Sequence, residues 1–308
     1  MSEATTASIA AHAAEHHPQE HLLRVDRFPH IWCPTCGLGT VMKCFVDAVQ
    51  RSKIPLDDIC VVSGIGCTGR TAGYIKLDSY HTTHGRAIPF ATGLKLANRN
   101  LKIAVISGDG DLAAIGGNHL IHAARRNMDI MVVCVNNFIY GMTGGQAAPT
   151  TPGTANTSTT PYGAYEPSFN LPHLMEACGA CYVARWTALH VRRMTNSFTD
   201  ALKKKGFSFV EIVTPCSTLY ARRNRLGTGY DLMKFYHDNS EIDHNADPRE
   251  IDIGYQKKIV VGKFVDRERP TWHELSDMQH HKTLGERYYR HEEMEAAATA
   301  ETGAKSHA

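Results

Sequence analysis

A chain of 308 residues can bury one large core, or form one domain with extensions. Its content of 43% apolar and 21% charged residues is that of an ordinary soluble globular protein. A net charge of +2 implies no general affinity for polyanions, which argues against nucleic acid as a partner, and no apolar run approaches membrane-spanning length.

Residues 1–20 have neither a basic start nor an apolar core, so they do not read as a signal peptide. Rich in Ala, His and Glu, they are expected to be a poorly ordered arm. A cytoplasmic location is the matching expectation. There, nine cysteines point to metal or redox use rather than disulfides. The 18 histidines scatter without a recognisable metal-binding spacing.

From 21 to 239 the pattern alternates. Apolar runs rich in β-branched residues at 59–63, 101–107, 130–135, 181–185 and 209–213 read as buried strands, because they are apolar throughout. Helices are expected at 39–52, 85–99, 111–127, 171–177 and 189–205. The last carries Val191, Met194, Phe198, Ala201 and Leu202 at helical spacing. The alternation predicts an α/β fold: a mostly parallel sheet with helices on both faces. There is no internal repeat. The segment 144–167, dense in Thr, Pro, Gly and Ala, reads as a long functional loop. From about Ser240 the chain turns charged with no clear strand. Residues 240–308 are therefore expected to be an irregular C-terminal extension that wraps a partner or is partly mobile, disordered from Glu295.

The chemistry concentrates where the second strand ends. Gly108-Asp109-Gly110 follows it, a helix comes next, and the third strand ends at Asn136-Asn137. A right-handed crossover makes the two strands parallel, so their carboxyl ends open on one sheet edge, where ligands of such sheets bind. Asp109 and Asn137 offer hard oxygen ligands there. The glycines admit a diphosphate to backbone amides, and the helix N-terminus faces its charge. A magnesium ion on a carboxylate, an amide oxygen and a backbone carbonyl fits this inventory. Alone, Gly-Asp-Gly is simply a turn; the strand, turn, helix, strand and Asn-Asn series in one spacing is far more specific.

This pattern resembles the diphosphate-binding motif of thiamine diphosphate enzymes. The run Asn137-Phe138-Ile139-Tyr140-Gly141-Met142-Thr143-Gly144-Gly145-Gln146 narrows the resemblance to the β subunits of 2-oxoacid:ferredoxin oxidoreductases, over about residues 32–220. The resemblance implies a thiamine diphosphate-binding fold, with Asp109, Asn137 and the Ile139 carbonyl as magnesium ligands. It also implies that Gly108, Gly110, Asp111, Gly141, Met142 and Thr143 line the diphosphate.

Four cysteines fall on expected loops: Cys33 and Cys36 in Cys-Pro-Thr-Cys, Cys67 in Gly-Ile-Gly-Cys-Thr-Gly-Arg, and Cys216 in Thr-Pro-Cys-Ser. An iron–sulfur cluster needs four thiolates on such loops, whereas a lone Cys-x-x-Cys also suits half a zinc site or a redox pair. Related subunits carry cluster cysteines in these settings, so the resemblance implies one [4Fe-4S] cluster on Cys33, Cys36, Cys67 and Cys216. Cys178 and Cys181 share the spacing but sit among small apolar residues and read as packing, as do Cys44, Cys60 and Cys134.

The run 64–69 matches a dinucleotide fingerprint, but the acidic residue at the end of a second strand is missing. Gly66 and its neighbours more readily bring this loop to the cofactor and cluster. His81, His84 and Arg86 form either a capped turn or a substrate-facing group, and Arg70 is a similar candidate. His84 and Arg70 are the expected catalytic side chains, able to stabilise an oxyanion or orient a carboxylate. Arg222, Arg223 and Arg225 read as a solvated or partner-facing surface, or as an attractor for an acidic ferredoxin or coenzyme A phosphates.

The resemblance implies coenzyme A-dependent oxidative decarboxylation of a 2-oxoacid with reduction of ferredoxin, reversible toward carbon dioxide fixation. It is closer to 2-oxoglutarate-type than to pyruvate-type subunits. Thiamine diphosphate requires a second domain; one sheet domain is expected from these residues, and the resemblance implies the other as a separate α subunit in an αβ or α2β2 complex. Other readings of the residues are pyruvate or another 2-oxoacid as substrate, a non-oxidative decarboxylase subunit, and a non-catalytic zinc–cysteine module.

Overall fold

The computed structural model describes residues 18–255, 257–290 and 293. All five expected strands form, with five further ones. In chain order they are β1 (Ile59–Ser63), β2 (Asp78–His81), β3 (Lys102–Gly108), β4 (Met131–Asn136), β5 (Ile139–Tyr140), β6 (Gln146–Ala147), β7 (Tyr182–Thr187), β8 (Ser208–Val213), β9 (Ser240–Ile242) and β10 (Ile259–Asp266). Eight of them make one sheet in the order β2-β1-β3-β4-β8-β7-β10-β9. From β2 to β7 every pair is parallel, and β10 adds to β7 antiparallel.

The helices are α1 (Leu38–Ser52), α2 (Ala87–Ala97), α3 (Gly117–Arg125), α4 (Leu171–Ala177), α5 (Val191–Lys203), α6 (Gly229–Asn239) and α7 (Trp272–Leu284). They cover both faces, which is why the strands are apolar at every position rather than at alternate ones. Val61, Ala104, Val133 and Val210 join the core beneath Phe45 of α1 and Phe198 of α5. Their strand neighbours Val62, Val105, Val132 and Phe209 join the core beneath Ala91 of α2 and Leu120 of α3.

After β1 the chain crosses to one side, to β2; after β3 it crosses to the other, to β4. The carboxyl ends of β1 and β3 therefore flank a switch point, where open α/β sheets form a crevice.

Two expectations need correction. The helix expected at 111–127 is interrupted: Gly110–Ile115 winds as a π-helical turn before α3. The wider turn inserts a residue and re-aims Asp111 inward. The segment from Ser240, expected without strands, supplies β9 and β10 to the sheet, followed by α7. β10 is an alternating strand flanked by charge, so its apolar character is diluted in any sequence window. In the N-terminal arm, residues 1–17 lie outside the described residues, as does the tail from Glu295. Gln19 is buried and donates to Gln50 of α1 at 2.9 Å. No helix among the described residues is long and apolar enough to cross a membrane.

Candidate functional site

The loops leaving β1, β2, β3 and β4 enclose a cavity of about 170 Å³. Gly66, Cys67, His84, Gly108, Asp109, Gly110, Asp111, Asn137, Ile139, Gly141, Met142 and Thr143, all singled out in the sequence, line it together. Thr68 and Tyr140 line it as well; both stand inside the motifs quoted above, though neither was expected as a site residue. A larger apolar cavity of about 350 Å³ lies between Phe138 and Tyr236. It offers neither carboxylate nor thiol.

Asp109 is 3% exposed, and its Oδ2 accepts from Thr150 Oγ1. Burial pushes its carboxyl up to about 7, against the lowering effect of the Thr150 and backbone hydrogen bonds. A cation placed against it would favour the charged form. The donor Thr150 comes from the long loop at 144–167, where nothing in the sequence separates it from its threonine neighbours.

The Asn137 turn is built with comparable constraint. Phe138 takes a left-handed φ of +66°, rare for a bulky side chain. Its N–H donates to Asn136 Oδ1 at 3.1 Å, and its carbonyl accepts from Thr151 Oγ1 at 2.6 Å. Ile139 N–H donates to Asn137 Oδ1 at 3.3 Å. Asn136 in turn donates to buried Glu211 at 2.7 Å, and Arg185 Nε donates to the other oxygen of Glu211 at 2.6 Å. Surrounding contacts thus over-determine a strained turn, as at many functional sites.

Asp111 lines the cavity, but its carboxylate is engaged elsewhere than expected. Oδ1 accepts from Ile65 N–H at 3.2 Å, Gly85 N–H at 2.8 Å and His84 Nδ1 at 2.6 Å, and Oδ2 accepts from Ser107 Oγ at 2.8 Å. A Cβ on Gly64 would lie 1.9 Å from that Oδ2, so glycine is required for the approach. Asp111 therefore ties the loops after β1, β2 and β3 and holds the His84 ring. With Nδ1–H on the carboxylate, Nε2 is the remaining polar atom of His84. Gly110 admits Tyr140: a Cβ there would meet its ring at 2.2 Å, and the Tyr140 hydroxyl donates to the Gly110 carbonyl at 3.1 Å.

The other polar candidates serve local structure. His81 Nδ1 meets the Gly69 carbonyl at 2.9 Å, and Arg86 Nη1 meets His119 Nε2 at 2.6 Å. Arg70 does not line the cavity; it is exposed beyond Cys67 on the turn Thr68–Gly73.

The four loop cysteines come together beside this cavity. A Cβ built on Gly141 would lie 3.7 Å from Cys216 Sγ and 3.8 Å from Cys67 Sγ. Burial pushes the Cys67 thiol up to about 11, with Cys216, Cys36 and Cys33 adding to the rise. Burial, then Cys33 and Cys216, raise Cys36 in the same way. Trp32 Nε1 donates to the Cys67 carbonyl at 2.8 Å, and Thr218 Oγ1 donates to Cys33 Sγ at 3.3 Å. A cationic centre among these thiols would reverse their mutual penalty. Among the described residues no three His, Cys, Asp or Glu side chains are drawn together as a single-ion site. Cys181 donates to Asn127 Oδ1 at 3.2 Å within the core, and Cys44, Cys60 and Cys134 are buried, the packing roles expected of them.

Residues 64–212 match the thiamine pyrophosphate enzyme, C-terminal TPP binding domain. Fold and site thus define a thiamine diphosphate-binding domain. The chain is 50% identical over 256 residues to the 2-oxoglutarate synthase subunit KorB of Methanothermobacter marburgensis, covering 82% of this chain and 88% of that one. It is 39% identical over 212 residues to a 2-oxoacid:ferredoxin oxidoreductase subunit beta of Aeropyrum pernix, covering 68% and 67%. The solved 2-oxoglutarate:ferredoxin oxidoreductase of Magnetococcus marinus, with 2-oxoglutarate, coenzyme A and succinyl-CoA bound, matches with a TM-score of 0.78 at 29% identity, covering 93% of this chain and 98% of that one. This chain belongs to the family of 2-oxoacid:ferredoxin oxidoreductase β subunits.

Proposed function

We propose that this chain is the β subunit of a 2-oxoglutarate:ferredoxin oxidoreductase. With an α subunit it would convert 2-oxoglutarate and coenzyme A to succinyl-CoA and carbon dioxide, reducing ferredoxin. The observation that carries this reading is the juxtaposition at Gly141: the cavity of Asp109 and Asn137 on one side, Cys67 and Cys216 on the other. A decarboxylase without electron transfer has no need of thiols there.

The residues fit the implied groups. Asp109, the Asn137 side-chain oxygen and the Ile139 carbonyl would hold magnesium, a hard-oxygen set whose buried carboxylate has no cationic partner among the described residues. Gly108, Gly110, Gly141, Met142 and Thr143 would line the diphosphate. Cys33, Cys36, Cys67 and Cys216 would hold a [4Fe-4S] cluster. When bound, thiamine diphosphate supplies the electron sink for loss of carbon dioxide, and the cluster accepts electrons singly.

The chain's own residues position and protect. Asp111 fixes the His84 ring on the cavity wall, so that Nε2 can hold or donate a proton at the substrate's oxygen. Tyr140 closes one wall over Gly110. The rim stays open: Met142 is 49% exposed and Ile65 40%, an apolar margin suited to an α subunit that completes the site.

The test is anaerobic copurification with the α subunit. Expected are bound thiamine diphosphate, magnesium, four irons per β chain, and cluster bleaching by 2-oxoglutarate with coenzyme A. Bleaching by pyruvate but not 2-oxoglutarate would overturn the substrate; zinc in place of iron would overturn the electron path.

A further inference from the structure

Resting on that reading, we infer that the arginine turn after Cys216, with Arg70 beside Cys67, forms the docking surface for an acidic one-electron carrier protein, centred on Cys33. Of the four clustered cysteines only Cys33 is exposed. Electron tunnelling weakens steeply with distance, so the face at Cys33 is the shortest way out.

That face is built from the Cys216 turn. Thr218, which donates to Cys33 Sγ at 3.3 Å, lies in the π-helical turn Ser217–Ala221. The helical path continues through Arg222, four residues beyond Thr218 and so about one turn along the same side. Arg222, Arg223 and Arg225 are all exposed. None forms an ion pair among the described residues; Arg223 Nη2 donates instead to the Gly144 carbonyl at 3.3 Å. Many other exposed cations here are paired, among them Lys43, Lys234, Arg249 and Lys258. Arg70 repeats the arrangement on the other cysteine turn: its N–H donates to the Cys67 carbonyl at 3.3 Å, and its side chain is exposed.

The arginines are held on fixed backbone. Arg225 sits at φ +54°, where Leu226 N–H donates back to the Ala221 carbonyl at 2.9 Å and closes the helical turn. Glycine is the usual residue in that left-handed position, and arginine there bears a steric cost that glycine would not. Buried Asn224 pins the turn, accepting from Asn156 N–H at 2.7 Å and donating to the Asn156 carbonyl at 3.0 Å. The next carboxylate along the chain, Asp231, is taken up in capping α6, where it accepts from Thr228 N–H at 2.7 Å. A rigid, unneutralised cationic turn that begins at the residue bonded to an exposed thiol is complementary to an acidic protein surface and would steer its approach.

The test uses the αβ complex with Arg222→Glu and Arg225→Glu together, assayed with an acidic ferredoxin and, separately, with methyl viologen. Expected at low salt is a fall of about tenfold or more in kcat/KM for ferredoxin, with a flattened salt dependence. Viologen reduction, KM for coenzyme A and the cluster absorbance should stay unchanged. Arg222→Lys with Arg225→Lys should restore the ferredoxin rate. Unchanged ferredoxin kinetics, or a loss confined to KM for coenzyme A, would overturn the surface. If the charge reversal does not fold, Arg222→Gln with Arg225→Gln gives the same readout through its salt slope. A wild-type complex that fails to reduce viologen with any 2-oxoacid refutes the parent function, not the surface.

Discussion

Asp111 Oδ1 and His84 Nδ1 meet at 2.6 Å on the wall of the cofactor cavity, and the same oxygen also accepts the N–H groups of Ile65 and Gly85. One buried carboxylate therefore sets both the shape of two loops and the tautomer of a histidine. Asp111→Asn keeps the size but loses the charge that favours Nδ1–H on the ring. It should lower kcat by about ten- to a hundredfold with little change in KM, the range for partners that orient a functional histidine. Steady-state kinetics of the αβ complex decide it; a rise in KM at constant kcat would assign Asp111 to binding alone.

Asp109 links function to pH. Its folded-state value of about 7 lies above that of an unfolded aspartate, so the cofactor-free fold is most stable at low pH and loses stability as pH rises toward and through 7. Asp109→Asn removes that loss. The variant should gain stability over wild type progressively from about pH 4, where an unfolded aspartate titrates, to about pH 7, and the gain should level off above that at a few kcal/mol, while magnesium-dependent cofactor binding is lost. Denaturant titrations of cofactor-free protein at several pH values would show a flat difference if the burial argument is wrong.

Gly110 leaves no room for a side chain, since a Cβ would sit 2.2 Å from the Tyr140 ring. Gly110→Ala must displace Tyr140 and should cost about 1–3 kcal/mol, the range for overpacking, together with weaker cofactor retention. Equal stability and full occupancy in the variant would show that the ring moves freely.

Glu211 and Arg185 are each 1% exposed and bonded at 2.6 Å, with Arg185 Nη1 also donating to the Ile251 carbonyl at 2.6 Å. Glu211→Ala strands a buried guanidinium and unpins Asn136. A loss of about 3–5 kcal/mol is expected in guanidinium unfolding, against a smaller one for Glu211→Gln. Similar losses in the two would show that charge is not the issue.

The cysteines divide cleanly. Serine at Cys36, Cys67 or Cys216 should deplete cluster iron and abolish ferredoxin reduction, whereas serine at Cys178 should leave the four irons in place. Iron and sulfide assays on anaerobically purified complexes separate the cases, and iron loss in Cys178→Ser would reopen the ligand assignment.

Much of this was legible in the residues. Strands buried on both faces are apolar at every position, so 59–63, 101–107, 130–135 and 209–213 announce themselves, and a parallel order then sends Asp109, Asn137, Cys67 and Cys216 to one sheet edge. Local setting also separated the loop cysteines from the packing cysteines. Only the tertiary structure decided that Thr150, 41 residues from Asp109, supplies its hydrogen bond, that a π-helical turn swings the Asp111 carboxylate onto His84, that Arg70 misses the cavity, and that β10 closes onto β7. The physical reason is common to all four. Periodicity reports which face of an element is buried, whereas the partner of a polar side chain or an alternating strand is set by distances between segments far apart in the chain, which no local pattern encodes.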